Sequence, residues 1–165
     1  MIKKKIGGYI SMARRIKLLF VLSLFLVLFQ DQLFSQIQVE VVDNAEDMVG
    51  RRLVYHVKEK FRKSEMFNLL IAPKGLRFRI LIYTMDRFKG DNWRNNISTM
   101  YSVIWLLYDD ERMLFPIYLK STLGFAGSDV VESAAEGIVA NTDKVVSEFE
   151  ELLREIEKIL KPNEK

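Results

Sequence analysis

The chain has a single histidine, His56, and no cysteine, and those two counts set the limit on what its side chains can do chemically. Without cysteine there is no thiol nucleophile, no disulfide scaffold and no thiolate-held metal. With one imidazole, a histidine metal cluster within the chain is excluded as well. His56 sits one position before the apolar Val57 on an expected helix, with no second ligand or base at helical spacing, so it reads as a boundary residue. No G-x-S-x-G segment occurs, and no Ser, Asp and His set places the one histidine usefully. Asp109-Asp110-Glu111 offers three hard oxygen donors, but adjacent acids in a short connection are ordinarily a solvated turn, and no EF-hand spacing surrounds them.

Two further groupings can be weighed for chemistry. The stretch Ser121 to Ser128 leads from an expected strand towards an expected helix, where backbone amides can cradle an anion, which makes Gly124, Gly127 and Ser128 the candidate ligand-binding residues. It lacks the lysine of a P-loop and the third glycine of a dinucleotide fingerprint, and Asp129 and Glu132 would repel phosphate from the same turn. Glu132 and Glu136 share a helix face as a possible carboxylate pair, though at that spacing on an exposed face carboxylates are ordinarily solvated. The expectation is therefore a protein with no catalytic residue, no metal and no cofactor.

The elements that must position these residues follow from periodicity. Ile37 to Val42 alternates at period two and predicts a strand ended by Asp43-Asn44. Val49, Leu53, Val57 and Phe61 recur every four residues and predict a helix from about Ala45 to Met66, capped by Asp43 or Asn44. After the turn Pro73-Lys74-Gly75 comes LRFRILIYTM, residues 76 to 85, with Phe78, Ile80 and Ile82 on one face and Arg77, Arg79, Leu81 and Tyr83 on the other. STMYSVIWLLY, residues 98 to 108, sets Tyr101, Val103, Trp105 and Leu107 opposite Met100, Ile104 and Leu106. Met113 to Leu123 is expected to return as its hairpin partner, with Pro116 marking a free edge because it cannot donate to a ladder. Residues 124 to 127 are expected to be a loop.

A long helix follows, with Ser128 or Asp129 as its cap and Pro162 just past its end. Val131, Ala135, Ile138, Thr142, Val145, Phe149, Leu152, Ile156 and Ile159 alternate spacings of four and three. Val139, Val146, Leu153 and Leu160 widen that seam into an apolar face. Such a helix is roughly 48 Å long at about 1.5 Å per residue, whereas a ten-residue strand spans about 33 Å. The surplus predicts an overhang over residues 148 to 165, whose Phe149, Leu152, Leu153, Ile156, Ile159 and Leu160 either pack along the first helix or meet a partner helix, for instance that of a second copy.

Ahead of this domain, residues 1 to 17 carry six basic residues and no acid, and LLFVLSLFLVLF follows at 18 to 29. That is a basic n-region and an apolar core of signal-peptide length, shorter than the roughly 18 to 20 residues of a membrane span. Cleavage between Ser35 and Gln36 is the expectation, with an uncleaved N-terminal anchor as the competitor. A lipoprotein is excluded for want of cysteine, and Met12 offers a second start. The leader also explains the charge. The chain is +3 overall, but residues 1 to 35 hold six basic residues against Asp31, which leaves 19 basic and 21 acidic residues beyond them. The basic character thus leaves with the leader, and nucleic acid is not expected as a partner. The mature remainder is itself uneven, +4 over residues 36 to 100 and −6 over 101 to 165, as expected of two halves that neutralise one another.

Arg77 and Arg79 beside Tyr83, with Tyr101 and Trp105 on a nearby strand, make the one basic and aromatic grouping. On a bare sheet face it would suit a polysaccharide or a protein, whereas under a helix Trp105 would be core. The expected fold is α+β, a mostly antiparallel four-stranded sheet in the order β-α-β-β-β-α with two helices on one face. Its domains are a leader at 1 to 35, a fold at 36 to 147 and a helical tail at 148 to 165. That element order resembles the amino-terminal domain of TolB-like periplasmic proteins over most of residues 37 to 147. The leader ending Leu33-Phe34-Ser35-Gln36 is similar to those of exported Bacteroidota proteins. Neither resemblance carries a functional residue over. The function expected is a non-enzymatic envelope accessory or interaction module, periplasmic or extracellular. The alternatives are a ligand-binding domain at 124 to 128 and, third, a hydrolase.

Overall fold

A computed structural model describes residues 36 to 160. The expected leader with its expected cleavage site at Ser35, the second start at Met12 and the expected helix stop at Pro162 lie outside those residues. The described chain is α+β: a five-stranded mixed sheet with two helices, the second of them long. Strand β1 is Ile37–Ala45, helix α1 Met48–Arg62, β2 Phe67–Leu69, β3 Leu76–Asp86, β4 Ser98–Asp109, β5 Ile117–Gly127 and helix α2 Val131–Leu160. Residues 36 to 154 form one compact unit, and the last turns of α2, from residue 155, fall outside it.

The sheet order is β2-β1-β3-β4-β5, which corrects the expected four mostly antiparallel strands. β1 lies parallel to both β2 and β3, and only the β3–β4 and β4–β5 pairs are antiparallel. The strand missed in the sequence is β2, three residues long and too short to show a period. It closes a βαβ unit with β1 and α1, because a helical crossover brings the chain back in the same direction. Residues 70 to 75 then carry the chain to the other side of β1, where β3 pairs Phe78 with Val39 and Ile80 with Val41.

Both helices cover one face. The expected stripe Val49, Leu53, Val57 and Phe61 is the buried side of α1, and it meets Val39, Ile80, Ile82, Val103 and Trp105 from the sheet with Val131, Ala135, Ile138, Val145 and Val146 from α2. Lys60 of α1 reaches Glu136 at 2.7 Å and Glu132 at 3.5 Å on α2. The candidate carboxylate pair is thus an inter-helix clamp, and the hydrogen bond that Lys60 donates to Glu136 raises the Lys60 pKa.

The expected start of α1 is corrected. β1 runs on to Ala45, and Asp47, not Asp43 or Asn44, caps the helix. One Asp47 carboxylate oxygen accepts the Gly50 amide at 2.7 Å, the cap contact. The other accepts the hydroxyls of Thr84 on β3 and Thr99 on β4, each at 2.8 Å, so one buried carboxylate pins α1 to the centre of the sheet. The approach is close enough to need glycine at position 50. A Cβ there would lie 1.9 Å from the Thr84 hydroxyl oxygen. Gly50→Ala is expected to cost about 2 to 3 kcal/mol of stability, the overpacking range, although alanine is the better helix former. A urea melt with an unchanged slope and a lower midpoint would show it.

Candidate functional site

The sequence-expected sites come apart in the structure. Gly124 and Gly127 do not form a loop before the helix; they lie within β5, which is shifted four residues along from the expected 113 to 123. Gly124 pairs across from Tyr101, and a Cβ on it would meet the tyrosine ring at 2.4 Å. It is glycine because an aromatic ring lies over it, not because the chain turns. At Gly127 a Cβ would stand 2.7 Å from an Asp129 carboxylate oxygen. Helical bonding starts later than expected too, with the Ala134 amide donating to the Val130 carbonyl at 3.0 Å.

The three adjacent acids each have a separate task. Asp109 is buried and accepts the Glu111 amide at 2.9 Å. Asp110 binds Arg77, and Glu111 reaches Lys74 at 3.1 Å. Among the described residues no group of three or more His, Cys, Asp or Glu could hold a metal ion. His56 is half-buried on α1, its ring edge-on to Tyr55 with centroids 5.5 Å apart.

The basic and aromatic grouping divides between the two sheet faces. Trp105 is fully buried beneath α2 and donates its indole N–H to Thr142 Oγ1 at 2.8 Å. Tyr101 points to that same side, over Gly124. Arg77, Arg79 and Tyr83 point the other way, and both arginines are committed. Arg77 Nε and Arg79 Nε share Glu40 Oε2 at 2.6 and 2.7 Å, and Arg77 Nη1 adds Asp110 at 2.7 Å and the Gly75 carbonyl at 2.6 Å. The Arg79 guanidinium stacks 4.1 Å from the centre of the Tyr108 ring. Burial works to raise the Glu40 pKa, but hydrogen bonds from Arg79 and Arg77 outweigh it and hold the carboxyl below its ordinary value.

Beyond that polar corner, the face of the sheet that is free of helices among the described residues is apolar. Register places Val42, Leu81 and Ile104 in one row, Tyr83, Ser102 and Leu123 in the next, and Met85, Met100 and Phe125 in the last. A sheet face turned to water ordinarily alternates to polar residues, and this one does not. Leu123 is 82% exposed and Phe125 63%, with Val42, Tyr83, Met85 and Tyr118 also exposed. Arg87 lies at the rim, 5.3 Å from the centres of the Phe125 and Phe88 rings. This surface was visible in the sequence only as outward positions of β3 and β4 that were too hydrophobic for solvent. In comparison with known proteins, no family model and no curated protein matches the chain.

The tail of α2 follows the expected seam only part of the way. Its apolar positions are buried as far as Val146, and Phe149 is half-buried against Phe78, ring centres 6.0 Å apart. Leu152 is then exposed, as is Ile159, while Leu153, Ile156 and Leu160 are half-buried.

Proposed function

We propose that the domain is an exported, non-enzymatic interaction module of the cell envelope that docks a protein partner on the helix-free face of its sheet. The observation that carries this reading is the uncovered apolar surface of β3, β4 and β5 described above. Large contiguous apolar patches on a soluble domain mark interaction sites. Three strands about 4.8 Å apart, apolar over about 20 Å of their length, present a face on the order of 300 Å², the size of a compact docking patch within the roughly 800 Å² that each partner brings to a standard interface. A flat apolar sheet is covered in folded proteins by an amphipathic helix or a second sheet. The occupant we favour is an amphipathic helix of another envelope protein, its apolar stripe over Leu81, Ile104 and Met100 and an acidic residue beside Arg87.

The test uses the full chain produced in a bacterial host, with the mature N-terminus read by mass spectrometry and expected at Gln36. A photo-crosslinking residue at Tyr83 should give a discrete adduct that the same residue at Arg52, on exposed α1 surface, does not. Tyr83→Asp should weaken docking by about 100-fold, since burying an unpaired carboxylate costs about 3 kcal/mol or more. Stability should fall by no more than about 1 kcal/mol at so exposed a strand position. Equal adducts from both positions, or none from either, would sink the reading.

A further inference from the structure

We propose that the open edge of β5 pairs antiparallel with β5 of a second copy, about a two-fold axis at Leu123, joining two sheets into one of ten strands. This rests on the strand's edge and not on its apolar face, and so goes beyond the docking reading. The sheet has two edges. β2 is three residues long and offers little to pair with; β5 is eleven residues long. Its first part is guarded: Pro116 precedes it, and an irregularity opposite Trp105 and Leu106 leaves Leu119 out of register. From Ser121 to Gly127 no guard remains, neither charge, proline nor bulge. Lys120, the one charge on the strand, turns towards Glu148 of α2.

The direction of the free backbone groups follows from one hydrogen bond. The Ser128 amide donates to the Ile97 carbonyl at 3.0 Å. In an antiparallel ladder such pairs alternate, so Ala126, Gly124 and Thr122 face β4, and Ser121, Leu123 and Phe125 present their N–H and C=O outward. A second copy set about Leu123 therefore bonds Leu123 to Leu123 of its neighbour, and Ser121 to Phe125 on either side. The side chains of those three residues share the helix-free face, which puts the small Ser121 beside the large Phe125 twice and two leucines on the axis. On the helix side Thr122 meets Gly124. No like charges oppose one another, and because the same edge is used on both copies the pairing closes as a dimer, with only the three-residue β2 left at each outer edge. One strand pair is smaller than a standard interface, so the dimer should be reversible and concentration-dependent.

The absence of cysteine allows single thiols to be placed in the full chain and joined in the producing cells by a short bis-maleimide. Leu123→Cys should yield a cross-linked dimer, whereas Leu114→Cys, 93% exposed on the preceding connection, should not. Ser121→Cys and Phe125→Cys chains should cross-link when produced together, and about tenfold less when produced alone. Adding Leu123→Lys to both chains should remove that product while the thermal melt is unchanged, since Leu123 makes no core contact. The proposal is overturned if no dimer forms at Leu123→Cys, if Leu114→Cys cross-links as well, or if the mixed pair gains nothing over either chain alone. Adduct formation at Tyr83 is read separately, so failure of the dimer and failure of the docking face are told apart.

Discussion

Trp105→Ala is expected to cost about 4 kcal/mol, the upper part of the range for removing a buried aromatic side chain. For a domain of this size that lowers Tm by about 15 °C. The reason lies in where the indole sits. It is fully buried between the sheet and α2, and its N–H is satisfied by Thr142, whose own hydroxyl donates to the Ile138 carbonyl one turn back at 2.9 Å. Trp105→Phe keeps most of the volume and leaves Thr142 with its helix partner, so it should lose only about 1 to 2 kcal/mol, one hydrogen bond and a small void. Calorimetry on the two variants separates them. Near-equal Tm values would mean that the indole is not the link between sheet and long helix.

The second large effect is expected at the polar corner. Glu40→Leu leaves the Nε of Arg77, whose side chain is 3% exposed, without its acceptor while Nη1 keeps Asp110 and the Gly75 carbonyl, and it removes the shared acceptor of Arg79. Breaking a buried pair from one side costs about 3 kcal/mol, more than the pair itself contributes. The double variant Glu40→Leu with Arg77→Leu should therefore be more stable than Glu40→Leu alone, the non-additivity a double-mutant cycle detects. Linkage gives the pH dependence. The Glu40 pKa in the folded protein lies below its ordinary value of 4.5, and Asp110, hydrogen-bonded by Arg77, is likewise held below its ordinary value of 3.8. Groups with depressed folded values contribute stability that is complete above the ordinary value and is lost as pH falls through the folded one. Urea midpoints should thus hold steady above about pH 5 and decline below 4.5. Glu40→Gln should flatten that decline, and an identical acid profile in wild type and variant would refute the assignment.

How much of this could be read before folding depended on whether a property was local. The faces of β3 and β4 were legible to the residue, because in a strand side chains alternate regardless of what the strand pairs with. The buried stripe of α1 was legible for the same reason at period four. Asp110 and Glu111 were correctly placed between β4 and β5, whereas Asp109 is the last residue of β4, and the division of the three among a backbone amide, Arg77 and Lys74 depends on the approach of the segment leading into β3. The glycines at 124 and 127 misled, since a glycine under a cross-strand tyrosine and a glycine in a turn are identical in sequence. That error, with Pro116 delaying the strand, moved β5 by four residues, so the free edge was expected at Pro116 and its stretch up to Gly127 was read as a loop.

By itself, then, the sequence determined the class of the fold, the helix-facing and outward sides of its central strands, and the narrow chemistry left by one histidine and no cysteine. Tertiary structure decided what those sides meet. It put both helices on one face, buried Trp105, tied Arg77 and Arg79 to Glu40, and left Leu123 and Phe125 at an uncovered margin. Periodicity is carried by neighbours along the chain, whereas cover and strand order come from contacts between residues far apart in it, which no local pattern encodes.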